Sequence, residues 1–262
     1  MAETSLKLQG RALITGGTSG LGLTFARALA RRGTDIVLVA RNLERLEKTR
    51  MELQARGVEC DILQADLSEE AGVAAVKERL LDDSSPITVF VNNAGAGLYT
   101  RLAVTDASEL RFGAEVMGLA PMELGGAMAY KMKERGRGTI ITTASVASLV
   151  PMGAYSAIKG MIKIWSDSLA IELAGSGVQV TSFLPGWVRT EFHQRSGVST
   201  SSIPDFLWLD AERVVGECLT DVERGKTISI PSKRFKVLAF LAEHAPKPIV
   251  AKVVKKLNKG RR

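Results

Sequence analysis

Three features of the amino-acid sequence predict an α/β protein built on a parallel, doubly wound sheet. Short apolar runs alternate with amphipathic stretches, which is the pattern of repeated β-α units. The runs at 11–15, 35–40 and 87–91 are apolar at most positions, as expected of strands that helices cover on both faces. A glycine-rich turn follows the first run and leads into a helical stretch.

Composition narrows the class of protein. A chain of 262 residues with 45% hydrophobic content can bury one sizeable core, so we expect one domain. Two distant cysteines, Cys60 and Cys218, and two histidines offer too little for a disulfide framework or a metal site, and we predict neither. No apolar run is long enough to span a bilayer and the start lacks a signal-peptide core, so we expect a cytoplasmic protein.

The first β-α unit contains a candidate dinucleotide site. The strand at 11–15 runs into the turn at 15–22, and the helix that follows ends near Gly33. Glycines in the turn allow a tight bend, a close approach of backbone to phosphate and close packing of helix on strand. Because a helix N-terminus also offers unpaired amides to an anion, this unit predicts dinucleotide binding on a Rossmann-type fold.

The second strand, at 35–40, indicates which dinucleotide is bound. At its end an acidic residue would bind the adenine ribose 2′-hydroxyl, whereas an arginine accommodates a 2′-phosphate. Arg41 stands here, which favours NADP (as NADPH) over NAD, although a solvated arginine opening the next helix is the alternative. A helix at 43–56, a third strand at 58–64 and a helix at 69–81 continue the repetition.

A tyrosine and a lysine four residues apart provide candidate acid-base chemistry. Tyr155 and Lys159 would share one face of a helix. A nearby ammonium favours the phenolate and so lowers the pKa of a tyrosine toward working pH. Such pairs also arise by chance, so the interpretation depends on the other motifs.

Four motifs together resemble the classical short-chain dehydrogenase/reductase family over roughly residues 7–230. They are Thr15-Gly-x-x-x-Gly-x-Gly22, Asn92-Asn-Ala-Gly95, Tyr155-x-x-x-Lys159 and Pro185-Gly-Trp-Val-Arg-Thr190, in the family's order and spacing. The stretch from Pro185 to Phe192, followed by a basic C-terminal helix, is most similar to the DltE-like bacterial branch. The resemblance implies a dinucleotide-binding domain at 7–230 that includes a helical substrate lid at about 191–215, with a helical tail at 232–262.

The resemblance also implies roles for individual residues. It assigns the pyrophosphate and adenosine to Gly16, Ser19, Gly20, Leu21, Gly22, Arg41, Asp66 and Leu67. It assigns the nicotinamide and its ribose to Asn93, Ala94, Gly95, Tyr155, Lys159, Val188 and Thr190. Its catalytic group would be Ser145, which binds the substrate carbonyl, Tyr155, which transfers a proton, and Lys159, which tunes the tyrosine.

Two positions depart from the family pattern. Ser145 is closer to Tyr155 than the family's serine usually is, and Thr142 stands at the usual spacing. We prefer Ser145, because a shortened loop at 151–153 explains the gap and loops accept deletions more readily than strands do. Met117 replaces the family's catalytic asparagine, which leaves open a slower enzyme, a proton relay through another water, or a protein that has lost turnover.

The segment after Thr190 and the tail bear on substrates and partners. Phe192, Phe206 and Trp208 suit an apolar substrate, or they simply pack the lid onto the body.

From Ser232 onward the chain carries ten basic residues and one acid, so the tail has a net charge of +9 and the rest of the chain −2. The apolar residues Ile249, Val250, Val253, Val254 and Leu257 fall at helical spacing opposite Lys252, Lys255, Lys256 and Lys259. This stripe would contact an anionic membrane or acidic partner, or cover the protein's own body.

These observations favour an enzyme over a non-catalytic binding protein. We expect an NADP-dependent oxidoreductase, a carbonyl reductase or alcohol dehydrogenase that works mainly in the reductive direction on a small molecule. The alternative is a non-catalytic NADP-binding regulatory protein on the same fold. The resemblance implies a homo-oligomer, and the absence of a recognised motif argues against nucleic-acid binding.

Overall fold

The computed structural model describes residues 8–98, 100–190 and 204–259, with side chains up to residue 255. Its parallel seven-stranded sheet has the order β3-β2-β1-β4-β5-β6-β7. The strands are β1 (Arg11–Thr15), β2 (Asp35–Ala40), β3 (Cys60–Gln64), β4 (Val89–Asn92), β5 (Gly138–Thr143), β6 (Val178–Phe183) and β7 (Ile228–Ser229). This sheet, flanked by helices, confirms the predicted doubly wound, Rossmann-type α/β fold.

Helices connect the strands and continue beyond the sheet. The described α-helices are α1 (Gly20–Ala30), α2 (Leu43–Gln54), α3 (Glu70–Leu81), α4 (Ser108–Ala114), α5 (Ala120–Glu134), α6 (Ala154–Glu172), α7 (Ala211–Glu223), α8 (Lys233–His244) and α9 (Lys247–Lys259). A π-helical turn, Glu115–Leu119, joins α4 directly to α5, and short 3-10 helices lie at Val146–Leu149 and Asp205–Leu207. Within the described part of the chain, no helix is both long and apolar enough to cross a membrane.

The two faces of the sheet bury separate cores. Successive strand residues point to opposite faces, so Phe90 packs on the side of α3 and α5, whereas Val89 and Val91 pack on the side of α1 and α7. On the latter side Phe25 and Phe183 meet edge to face with their ring centroids 5.5 Å apart. Because both faces are covered, the strands read as apolar runs without alternation.

The structure refines several element boundaries. β3 begins at Cys60, two residues later than the sequence predicts, and the two-residue strand β7 had no sequence signal. Much of the expected lid, residues 191–203 with Phe192, lies outside the described residues. At the other end of that segment, Val214 and Val215 of α7 are buried in the core with α1, so this end belongs to the body.

Replacing Phe183 by alanine tests this core. Phe183 is completely buried, and its loss would remove the contact with Phe25 and leave a cavity. We expect Phe183→Ala to lower the free energy of unfolding by about 3–5 kcal/mol in urea titrations at fixed protein concentration. Phe240→Ala, in an exposed position on α8, is the control and should cost about 0.5 kcal/mol or less. Similar losses for the two variants would contradict this account.

Candidate active site

The candidate site lies at the carboxyl edge of the sheet, where the direction of strand order reverses. β1 pairs with β2 on one side and with β4 on the other, so the connections after β1 and β4 leave in opposite directions. In open α/β sheets this switch point opens a crevice that accepts ligands. Most residues predicted to bind the dinucleotide follow the ends of β1, β2, β3 and β4; Tyr155 and Lys159 lie on α6, and Val188 and Thr190 follow β6.

The glycine turn after β1 is built on backbone conformations that favour glycine. Gly16 and Gly20 have φ angles of 68° and 52°, in the left-handed region. A Cβ on Gly22 would stand 2.2 Å from the carbonyl oxygen of Gly16, which leaves no room for a side chain. Ser19 precedes α1 at the N-cap position, and Leu21 packs against the core. The turn therefore presents backbone and the α1 N-terminus to the crevice.

The nucleotide end of the crevice contains a basic and an acidic residue in contact. Arg41 follows β2, is 67% exposed, and its guanidinium lies 3.7 Å from the carboxylate of Asp66. Burial alone would raise the pKa of Asp66, but hydrogen bonds from Ser68 and the nearby Arg41 outweigh it and lower that pKa. Leu67 is buried beside them in the core against α3. The exposed guanidinium can turn toward a phosphate.

Asn93, Ala94 and Gly95 are held against the glycine turn by one hydroxyl. Thr15 Oγ1 accepts hydrogen bonds from the backbone amides of Asn93 (2.9 Å) and Ala94 (3.0 Å). The side-chain amide of Asn93 donates to the carbonyl oxygen of Thr15 at 3.0 Å. Sequence reasoning did not single out Thr15 for this role, although a hydroxyl at the end of β1 facing the next strand is a signal that would have found it.

Val188 and Thr190 come to the same crevice from the loop after β6. Val188 is buried and forms a parallel bridge with Leu209. A Cβ on Gly20 would be 3.5 Å from Cβ of Thr190, so this loop lies directly against the glycine turn. Arg189 pairs with Asp205 at 2.9 Å, which ties the loop to the segment before α7.

The two candidate hydroxyls differ in position. Ser145 lies two residues beyond the end of β5, where its Oγ accepts from the amide of Ala147 at 3.1 Å and faces the carbonyl oxygen of Pro185 at 3.5 Å. Thr142 lies within β5 on the face that packs against α5, and its Oγ1 has no hydrogen-bond partner among the described residues. A backbone amide therefore orients the Ser145 oxygen, whereas the Ser145 O–H makes only a long, weak hydrogen bond to Pro185.

Lys159 is a buried cation beneath Tyr155. Its Nζ donates a hydrogen bond of 2.7 Å to the carbonyl oxygen of Thr143 and lies 5.9 Å from the ring centroid of Tyr155. Burial lowers the pKa of Lys159 to about 8. Tyr155 is half-buried and packs on the cluster of Leu98 and Met117. The acceptor on Thr143 is a backbone group, which no side-chain pattern in the sequence reveals.

Met117 occupies the π-helical turn between α4 and α5. It is buried, its sulfur accepts from the amide of Ala96 at 3.4 Å, and a Cβ on Gly95 would contact that sulfur at 3.6 Å. The thioether therefore fills the space next to the Asn93–Gly95 segment with a weak acceptor and no donor. π-Helical turns inside α-helices recur at functional sites, which fits its position beside Tyr155.

Comparison with known proteins agrees with this geometry. Residues 11–199 match the sequence pattern of the short chain dehydrogenase family, and the chain therefore belongs to that family. It is 31% identical over 224 residues to the gluconate 5-dehydrogenase of Gluconobacter oxydans, a match that covers 79% of this chain and 84% of that protein. The protein is thus an oxidoreductase of the short-chain dehydrogenase family.

Two solved structures have a fold similar to that of this protein over most of its chain. A short-chain dehydrogenase from Sphingobium yanoikuyae in complex with NADPH has a TM-score of 0.81 and 33% identity, covering 87% of this chain and 92% of that one. The bulky-bulky ketone specific alcohol dehydrogenase from Comamonas testosteroni has a TM-score of 0.77 and 29% identity, with 97% and 95% covered.

The buried lysine predicts how stability depends on pH. The Lys159 pKa falls from 10.5 in the unfolded chain to about 8 in the folded one, so the unfolded state binds more protons between these values. Stability from this group therefore rises with pH across that window. We expect the unmodified protein to gain about 3 kcal/mol relative to Lys159→Met, measured by urea unfolding without cofactor on both sides of the window.

Lys48→Met, at an exposed position on α2, is the matched control and should track the unmodified protein at every pH. A stability difference between the unmodified protein and Lys159→Met that stays constant with pH would show that Lys159 is not a strongly desolvated cation.

Proposed function

We propose that this protein is an NADP-dependent oxidoreductase that acts on a carbonyl or alcohol substrate, mainly in the reductive direction. The observation that carries the proposal is the buried Lys159 ammonium beneath Tyr155, next to Ser145, at the carboxyl edge of the sheet. Ordinary core packing does not require a buried lysine at such a place. A carbonyl reductase is the simplest enzyme that uses all three groups.

The residues present fit a dinucleotide. Any Cβ on Gly22 would collide with Gly16, so the turn keeps its backbone bare next to the N-terminus of α1, as pyrophosphate binding requires. Gly16, Ser19, Gly20, Leu21 and Gly22 would hold the pyrophosphate side. At the nicotinamide side the cofactor would meet Asn93, Ala94, Gly95, Tyr155, Lys159, Val188 and Thr190. When bound, the cofactor supplies the hydride.

Arg41 supports NADP as the cofactor. Its exposed guanidinium at the end of β2 suits a 2′-phosphate, for which an acidic residue would be repulsive. Asp66 and Leu67 would border the adenine. The similar Sphingobium yanoikuyae structure is a complex with NADPH, which adds support without fixing the choice for this chain.

Three side chains of this protein would bind the substrate oxygen and transfer one proton to it. Ser145 would donate a hydrogen bond to the substrate oxygen, because the amide of Ala147 orients its hydroxyl oxygen and its O–H makes only a long contact with Pro185. Tyr155 would protonate that oxygen as general acid. The ammonium of Lys159, fixed by the Thr143 carbonyl, would stabilise the phenolate that remains.

The non-catalytic alternative rests on Met117. A thioether engaged with the Ala96 amide cannot replace the asparagine that holds a water in the family's proton relay. The named relatives are dehydrogenases, which favours turnover. We therefore infer an enzyme in which the phenolate of Tyr155 is reprotonated by a route that does not use residue 117.

We infer an apolar carbonyl substrate, a homo-oligomer and a cytoplasmic location. Phe206 is 62% exposed beside the Arg189 loop and supports an apolar entrance. On the outer face of α6, Met161 and Ile164 are exposed large side chains that suit a contact between copies. We also assign the chain to the DltE-like branch, with a catalytic domain at 7–230 and a tail at 232–262.

The first experiment is NADPH oxidation with a panel of ketones and aldehydes, with NADPH affinity measured in parallel. Tyr155→Phe removes only the phenol oxygen, so we expect kcat to fall about 10²- to 10⁴-fold while the Kd for NADPH changes by no more than about twofold. The matched control is Tyr130→Phe, an exposed tyrosine on α5, which should turn over normally.

Retained activity in Tyr155→Phe would refute Tyr155 as the acid. Tight NADPH binding by the unmodified protein without turnover on any member of the panel would instead favour the non-catalytic alternative.

Arg41 is tested by cofactor preference. Removing a charge-assisted contact to the 2′-phosphate should lower kcat/KM for NADPH about 10- to 100-fold in Arg41→Ser and leave the value for NADH nearly unchanged. Arg31→Ser, exposed at the opposite end of α1, is the control for loss of net charge. Equal losses with NADPH and NADH would mean that Arg41 does not read the phosphate.

A further inference from the structure

Helix α8, the first of the two helices that follow β7, is fixed to the body at its start and along one narrow row of side chains. Ser232 donates its amide proton to Glu217 at 2.7 Å. Phe235 is buried against Gly186 and stacks at a tilt on Trp187, with ring centroids 5.9 Å apart. Ala239, one turn further on, is the next buried residue. The orientation of α8 is therefore set by contacts with the loop that carries Val188.

The opposite side of α8 is apolar and exposed. At 100° per residue, Val237, Phe240 and Leu241 lie within about 100° of arc, directly opposite the buried row. Each has more than half of its surface exposed, between 52% and 59%. An apolar face of this kind, pointing away from the core, is typical of a binding surface and not of a solvated helix.

Helix α9 also carries exposed apolar side chains. Val254 is buried, but Ile249 and Val253 are 56% and 54% exposed. Only one edge of the tail's apolar stripe therefore covers the body, and the edge with Ile249 and Val253 remains exposed. The side chains of Lys256, Leu257 and Lys259 lie outside the described residues. Lys252 and Lys255 are exposed on the same helix.

Cations surround this apolar surface. The exposed residues Lys233, Arg234 and Lys236 precede the apolar side chains of α8. Across 232–262 the net charge is +9, with Glu243 as the single acid, whereas the rest of the chain carries −2. Exposed apolar side chains bordered by positive charge match the interface of an anionic bilayer, which offers acyl chains below a layer of negative headgroups.

We propose that α8 and α9 form a lipid-docking surface, defined by Val237, Phe240, Leu241, Ile249 and Val253 with their flanking lysines, that binds the face of an anionic membrane. A second copy of the chain is a poorer occupant, because it would bring two surfaces of high positive charge together. Nucleic acid is also poorer, since it would leave the apolar side chains uncovered.

Helix α8, whose outer face carries part of the lipid-docking surface, contacts segments next to the candidate active site. Arg234 donates to the carbonyl oxygen of Phe206 at 2.5 Å, and α8 also contacts the 3-10 helix that follows Ser145. Docking would thus hold the crevice beside the bilayer, where an apolar carbonyl compound dissolved in lipid is concentrated. This substrate class deepens the proposed function, but membrane binding itself does not depend on it.

Cosedimentation of the full-length protein with vesicles tests the proposal. We expect binding to phosphatidylcholine vesicles that contain about one third phosphatidylserine, weak binding to phosphatidylcholine alone, and release by high salt. Phe240→Ser with Leu241→Ser should lower the partition coefficient at least about tenfold. Lys233→Gln with Lys236→Gln should lower it by about the same factor.

Matched controls come from surfaces elsewhere on the protein. Met51→Ser, 61% exposed on α2, removes a similarly exposed apolar side chain, and Lys48→Gln removes an exposed charge on the same helix. Neither control should change vesicle binding. All variants should keep the unmodified protein's far-ultraviolet circular dichroism.

Three results would overturn the proposal: no binding to anionic vesicles, an unchanged partition coefficient in both α8 variants, or a fall in molar mass by light scattering in the apolar variant. The last result would identify the surface as a contact between copies. Since sedimentation does not read activity, an inactive protein that still binds vesicles would contradict the proposed function and leave this inference intact.

Discussion

The site depends on one buried hydrogen bond, from the ammonium of Lys159 to the carbonyl oxygen of Thr143. Removing an ammonium from water is costly, and the lowered pKa of this lysine records that cost. The bond joins the first turns of α6 to the last residue of β5, and so fixes Tyr155 on one element relative to Ser145 just beyond the other. A site that must position a phenol and a hydroxyl against one substrate atom needs such a rigid connection.

The dinucleotide side of the crevice is positioned by close backbone packing. Gly22 approaches Gly16 so closely that no side chain fits, and Thr15 Oγ1 binds two amides of the segment after β4. These contacts cross the switch point between β1 and β4, where the two halves of the sheet meet. The hydroxyl of Thr15 therefore continues the connection between β1 and the chain after β4 where the hydrogen bonds between the two strands end.

Much of this arrangement follows from the sequence because it is local. Strand, turn and helix after residue 11, and the spacing of Tyr155 and Lys159, are short-range patterns with a direct physical meaning. The contact of Met117 with the Ala96 amide, the π-helical turn that places it, and the strand β7 arise from tertiary packing and leave no periodic signal. Likewise, the sequence does not indicate which face of α8 is buried, and the packing of Phe235 and Ala239 decides it.

The segment between Ser145 and Tyr155 connects the catalytic and C-terminal parts of the molecule. Its 3-10 helix, Val146–Leu149, contacts both α6 and α8, and Phe235 of α8 packs on Gly186 and Trp187 in the loop that carries Val188. Helix α8 is thus held by the two loops that carry Ser145 and Val188, so its orientation and the positions of these candidate site residues depend on the same contacts.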